Sequence, residues 1–144
     1  MGAESSQPAF AFTKLVVHDL EKMAAFYRAA YGLLPIARFQ ERIGDEPIDE
    51  IILGAEPGAP MAPGSLVLLR FLERPAATPG EVLLGFTTDD LPGLLERIEA
   101  AGGAVYAPIR RMPALGLSVA FARDPEGHLA ELVQMESRAQ EERA

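Results

Sequence analysis

The 144-residue chain contains no cysteine. Disulfides, thiolate metal centres and a cysteine nucleophile are thereby excluded. It has only two histidines, His18 and His128, and no serine–histidine–acid spacing, phosphate loop or zinc motif can be traced. Positive charge is scarce: 13 Lys and Arg stand against 21 Asp and Glu, a net charge of −8. That argues against a nucleic-acid partner, which needs basic surface for phosphates, and fits a soluble acidic protein. No apolar run approaches the roughly 20 residues of a membrane helix. The opening MGAESSQPAF has neither a basic n-region nor an apolar core, so no secretory signal is expected. The expectation is a soluble cytoplasmic protein without membrane contact.

What the chain does have is a pattern stated twice. Residues 16–34 read VVHDLEKMAAFYRAAYGLL, and residues 87–105, 71 positions later, read TTDDLPGLLERIEAAGGAV. Asp19-Leu20 falls on Asp90-Leu91, Met23 on Leu94, Tyr27 on Ile98 and Gly32 on Gly103. Each copy runs from an apolar segment through an acidic cap and an amphipathic helix to a glycine and another apolar segment. Gly102-Gly103 follows a helix rather than opening one, so it is not a dinucleotide fingerprint.

Phe10 to Val17 alternates and predicts a strand. Asp19 caps a helix whose buried face carries Leu20, Met23, Ala24, Tyr27, Ala30 and Tyr31. Strands follow over 34–42, 48–53 and 65–72, with GDEP (44–47) as a turn. The Pro/Gly-rich loop 55–64 is a candidate lid or pocket rim. RPAATPG (74–80) separates the copies. The second copy gives a strand over 81–88, a helix capped by Asp90 with Pro92 in its first turn, and strands over 105–109, 117–122 and 128–135. DPEG (124–127) turns between the last two. The expected architecture is α+β. Two βαβββ modules, 10–74 and 80–135, lie in a pseudo-two-fold repeat and form an open-barrel cleft. The termini, 1–9 and 136–144, are expected to be flexible.

This order resembles the glyoxalase/bleomycin-resistance/extradiol-dioxygenase superfamily, the vicinal oxygen chelate proteins. Asp19-Leu20, Phe26-Tyr27 and Gly32 carry the resemblance in the first module. Gly102-Gly103, Asp124-Pro125-Glu126-Gly127 and Glu131-Leu132 carry it in the second. The resemblance spans roughly residues 10–135. It implies a glyoxalase-like fold, often a homodimer, but no single function, because the fold hosts lyases, isomerases, dioxygenases and drug-binding proteins.

It also implies four inward positions, on the first and last strands of each module, that carry His, Gln or Glu in metal-dependent members. Carried over, these are Phe12, Leu68 or Leu69, Leu83 and Glu131. Only Glu131 is a donor, and even minimal catalytic metal sites commonly use three protein ligands. No cofactor is therefore expected, with a divalent metal as the alternative. Glu131 is the candidate base, with Lys14 as its partner or as an oxyanion-steadying group. Phe12, Leu69, Phe71, Leu83 and Arg110 are the expected ligand-binding cleft. Phe86 and Phe121 could also line it. Arg110-Arg111, read as a loop, could bind an anionic group. Asp49 and Glu50 read as charges at a strand start, His18 as an exposed turn residue and His128 as structural.

The functional expectation is a protein that binds a small organic molecule in an apolar cleft, with metal-independent isomerase or lyase chemistry. The first alternative is a non-catalytic, sequestering binding protein. The second is a metal-dependent lactoylglutathione lyase or dioxygenase with an unorthodox ligand set.

Overall fold

The structure, a computed structural model, describes residues 8–55 and 62–136. Its elements are β1 (Phe12–Val16), α1 (Leu20–Tyr31), β2 (Leu34–Ile43), β3 (Glu46–Gly54), β4 (Ser65–Phe71), β5 (Leu84–Thr87), α2 (Leu91–Ala100), β6 (Ala104–Met112), β7 (Leu117–Arg123) and β8 (Leu129–Met135). A short 3₁₀ turn, Pro113–Leu115, joins β6 to β7. The order is βαβββ twice, α+β, as the repeat demands. The sheets run β1-β4-β3-β2 and β5-β8-β7-β6. Only β1–β4 and β5–β8 are parallel pairs.

The chain divides into two compact units. One holds the residues up to Leu20 together with Leu33–Ala76. The other holds Glu21–Gly32 together with the residues from Ala77 onward. The strands thus follow the sequence repeat, but α1 groups with the second sheet.

In the first unit, β3 is buried without interruption from Ile48 to Gly54. A strand with both faces covered needs a near-continuous apolar run, yet this one contains Asp49 and Glu50. Both are tied down. Arg38 grips Asp49 through Nε–Oδ1 at 3.1 Å and Nη2–Oδ2 at 2.8 Å. Those bonds hold the Asp49 carboxyl below the usual carboxylate range against the opposing effect of desolvation. The two acids are therefore mid-strand, not at a strand start, because β3 begins at Glu46.

In the second unit, Asp90 accepts a hydrogen bond from Gly93 N at 3.1 Å and caps α2. Leu91, Leu94 and Ile98 form the buried stripe at the spacing expected for one helix face. The backbone N–H of Leu91 is satisfied by Gln134 Oε1 at 2.8 Å. From α1, the Tyr31 ring stacks on Phe86 with centroids 3.9 Å apart, and Arg97 Nε donates to Ala30 O at 3.3 Å.

Arg110 and Arg111 lie in a strand, not a loop. β6 continues to Met112 because β7 extends the ladder, pairing Arg110 with Val119 and Arg111 with Ser118. An edge strand tolerates such charges because one side meets solvent. Conversely, β5 is shorter than its apolar run, four residues from Leu84 to Thr87. Most of the 55–64 loop (56–61) and the segments 1–7 and 137–144 lie outside the described residues.

Candidate functional site

Pairing fixes which side chains share a face, because strand residues alternate. In the second sheet Gly85 pairs with Glu131 and Thr87 with Val133, while Phe121 pairs with Glu131 across β7. A depression of about 290 Å³ opens here, lined by Leu83, Leu84, Phe86, Thr87 and Val133 around Glu131. Its origin is local. A Cβ added at Gly85 would meet nothing within 4 Å, so the missing side chain leaves open space beside the Glu131 carboxylate. Glu131 is the single ionisable residue of this lining.

Leu83 sits just before β5 and is 48% exposed. Arg110 pairs with Val119, which pairs with Val133, so the register sets it on the Glu131 face. Arg111 is engaged instead by Glu136, Nε to Oε1 at 2.6 Å.

In the first sheet the same logic gathers Phe12, Lys14 and Leu69 on one face with Glu50. It also bears on the fourth-strand position, expected at Leu68 or Leu69. Lys14 pairs with Val67, and Gly85, 71 residues later, pairs with Glu131. The counterpart of Glu131 is thus Val67. Leu69 is on the same face two residues on, and Leu68 points to the other. Phe71 shares the Leu69 face and carries the Arg74 guanidinium over its ring at 3.5 Å.

The partner expected for Lys14 is Glu131; the structure gives it Glu50. Nζ lies 2.9 Å from Glu50 Oε2, with the two side chains 32% and 7% exposed. Alternation of Ile48, Glu50 and Ile52 marks Glu50 as a member of that face, a signal the sequence reading assigned to a strand end. Lys14→Met is expected to destabilise the protein by about 1–2 kcal/mol, because a buried carboxylate loses its donor. Adding Glu50→Gln should restore part of that, as a urea-denaturation double-mutant cycle would read.

Of the positions that the resemblance marks, Phe12, Leu68 or Leu69 and Leu83 are hydrocarbon, as is Val67, and Glu131 carries oxygen. Among the described residues no group of three or more His, Asp or Glu side chains is placed to hold a metal.

His18 is exposed just beyond β1. His128 is buried, and with Asp124 ionised its Nδ1–H donates to Asp124 Oδ2 at 2.7 Å. Tyr27 OH donates to the same oxygen at 2.7 Å. Burial, reinforced by the Asp124 charge, pushes the Tyr27 hydroxyl far above its usual range, so it remains a donor. Burial pushes the Asp124 carboxyl up, but hydrogen bonds from His128 and Tyr27 outweigh it and hold the carboxyl below the usual range. The sequence reading placed these residues in separate motifs; the structure makes them one buried cluster.

Two βαβββ modules, each closing with a parallel first-to-last strand pair, define a paired-module α+β protein. A family model described as Glyoxalase/Bleomycin resistance protein/Dioxygenase superfamily matches residues 9–132, and the chain belongs to that superfamily. Similar solved structures include a glyoxalase family protein from Bacillus cereus, 17% identical with a TM-score of 0.76, over 94% of this chain and 99% of that one. A glyoxalase-related enzyme from Fulvimarina pelagi is 26% identical with a TM-score of 0.63, over 89% and 88%. Glyoxalase I from Zea mays is 21% identical with a TM-score of 0.67, over 86% of this chain but only 45% of its own length. No curated protein matches the sequence at a significant level. Among the described residues no helix is long and apolar enough to cross a membrane.

Proposed function

We propose that the protein binds a small organic molecule in the Glu131 depression without a resident metal, and that its role is capture rather than turnover. The observation that carries this reading is a lone carboxylate set on an otherwise uncharged wall, beside the space that Gly85 leaves. Such a site suits a ligand with an apolar body and one hydrogen-bond donor or cationic group. Isomerase or lyase chemistry with Lys14 as second group is less well supported, since its ammonium is already bound to Glu50. A homodimer is the setting we infer, on family resemblance alone.

Calorimetric titration with benzylamine and phenol, in the presence of EDTA, tests the site. Saturable binding is expected. Glu131→Gln should weaken benzylamine at least tenfold, the scale of a hydrogen bond to a charged group. No saturable binding to either probe, equal binding by the variant, or binding that requires added metal would refute the reading.

A further inference from the structure

The first unit holds a pocket that the Glu131 reading does not use. β1 and β4 are parallel; β1 stops at Val16 opposite Leu69, with Val17 N bonded to Leu69 O at 2.9 Å, and β4 runs on to Phe71. Where parallel strands end, the segments that follow diverge and leave a crevice. Here the crevice measures about 210 Å³ and is lined by His18, Arg70, Phe71, Arg74 and Pro75, among others. No acidic residue belongs to its lining, although the chain as a whole carries a net charge of −8.

The two arginines are placed differently. Arg74 is fixed from behind. Its Nε bonds both carboxylate oxygens of Glu46, at 3.0 and 3.1 Å, and its guanidinium lies over the Phe71 ring, 3.5 Å from the centroid. Leu72 N bonds Pro47 O at 3.0 Å and anchors the same segment to the start of β3. Arg74 is therefore preorganised, with its Nη groups without a hydrogen-bond partner among the described residues. Arg70 is exposed, and its side chain makes no hydrogen bond among the described residues. Its charge acts on Asp49, but that carboxylate is already gripped by Arg38. His18 adds an imidazole to the same wall. Arg70, Arg74 and His18 all belong to the lining of this one small crevice, and guanidinium and imidazole N–H groups are donors that suit an oxyanion. The volume corresponds to about seven waters of the liquid. That accommodates a carboxylate or phosphate group with part of its hydration, and falls short of a typical drug-sized pocket.

We propose that this pocket binds a small oxyanion, a carboxylate or phosphate group, through Arg70 and Arg74 with His18 at its edge. The protein's overall field repels anions, so capture must come from these local donors.

Titration of the full chain at low ionic strength with inorganic phosphate and, separately, with benzoate tests this, followed by NMR shifts of the Arg70, Phe71 and Arg74 amides. Saturable shifts confined to this segment are expected with at least one probe; which probe binds tells a phosphate from a carboxylate source. Arg70→Gln should weaken binding at least tenfold and leave the fold intact, because the Arg70 side chain is exposed and makes no hydrogen bond among the described residues. Arg70→Lys should retain part of the affinity. Arg28→Gln, an equal change of charge on α1, should leave binding unchanged. Absence of saturable shifts with both probes, unaltered binding in Arg70→Gln, or an equal loss in Arg28→Gln would each overturn the proposal.

Discussion

Replacing Asp124 by alanine is expected to cost about 3–5 kcal/mol of stability, the scale for removing one partner from a buried polar network. The melting temperature should fall by roughly 10 °C or more. The carboxylate accepts four hydrogen bonds: from Tyr27 OH and His128 Nδ1 at 2.7 Å each, and from the Glu126 and His128 backbone N–H groups at 2.9 Å each. Alanine leaves all four donors without their acceptor, in a place where water cannot readily replace it. Asp124→Asn should cost less. Its Oδ1 still accepts from the two backbone groups, and its amide can donate to the Tyr27 oxygen and to neutral His128. The same cluster sets a pH dependence. The folded-state pKa of Asp124 is depressed, so its contribution is fully present above the unfolded value of about 3.9. It is lost as pH falls through the folded value, since the unfolded chain binds more protons there. Stability measured across the acid limb should therefore drop more steeply in the wild type than in Asp124→Asn. Parallel curves would show that Asp124 is not the titrating group.

Gly103→Ala should destabilise by about 2–3 kcal/mol through overpacking. An added Cβ would lie 2.5 Å from Arg123 O, 2.7 Å from Ile98 Cγ2 and 3.0 Å from Phe26 Cε1. The first contact is backbone and cannot swing aside. Gly102, by contrast, has φ +106 and only Pro125 Cγ nearby, at 3.7 Å, so its constraint is conformational. The 71-residue repeat equates Gly103 with Gly32, but the positive φ of Gly32 (+72) is matched by Gly102, one residue earlier. Thermal unfolding of the variant separates the two roles: a drop of less than about 1 °C would show that the Gly103 approach is not tight.

These two positions explain why scattered motifs carry the resemblance. Phe26-Tyr27, Gly102-Gly103 and Asp124 to His128 are far apart in the chain, yet they meet in one place. α1 sets Phe26 against Gly103 and Tyr27 against Asp124, and the 124–127 turn closes with Gly127 N bonded to Asp124 O at 2.9 Å. The sequence could show each piece as a turn, a helix face or a helix stop, because those are local properties. It could not show that they touch.

The same division runs through the candidate sites. The family resemblance marks Phe12 and Glu131 as inward-type positions, and strand alternation puts Lys14 on the Phe12 face before any coordinate is known, since a period of two depends only on neighbours in the chain. Local pattern also suffices for both helices, the Asp90 cap and the DPEG turn. It fails where a partner strand decides: β6 runs through Arg110 and Arg111 because β7 continues beside it, and Asp49 and Glu50 are tied down because the neighbouring β2 supplies Arg38 and β1, across β4, supplies Lys14. The sequence by itself determined two βαβββ copies and their helices, which follow from residue type and spacing. Only the tertiary structure decided that α1 groups with the second sheet, that Lys14 serves Glu50, and that His18, Arg70 and Arg74 share a wall. Those depend on contacts between residues distant in the chain, which pairing and packing select and local preference does not encode.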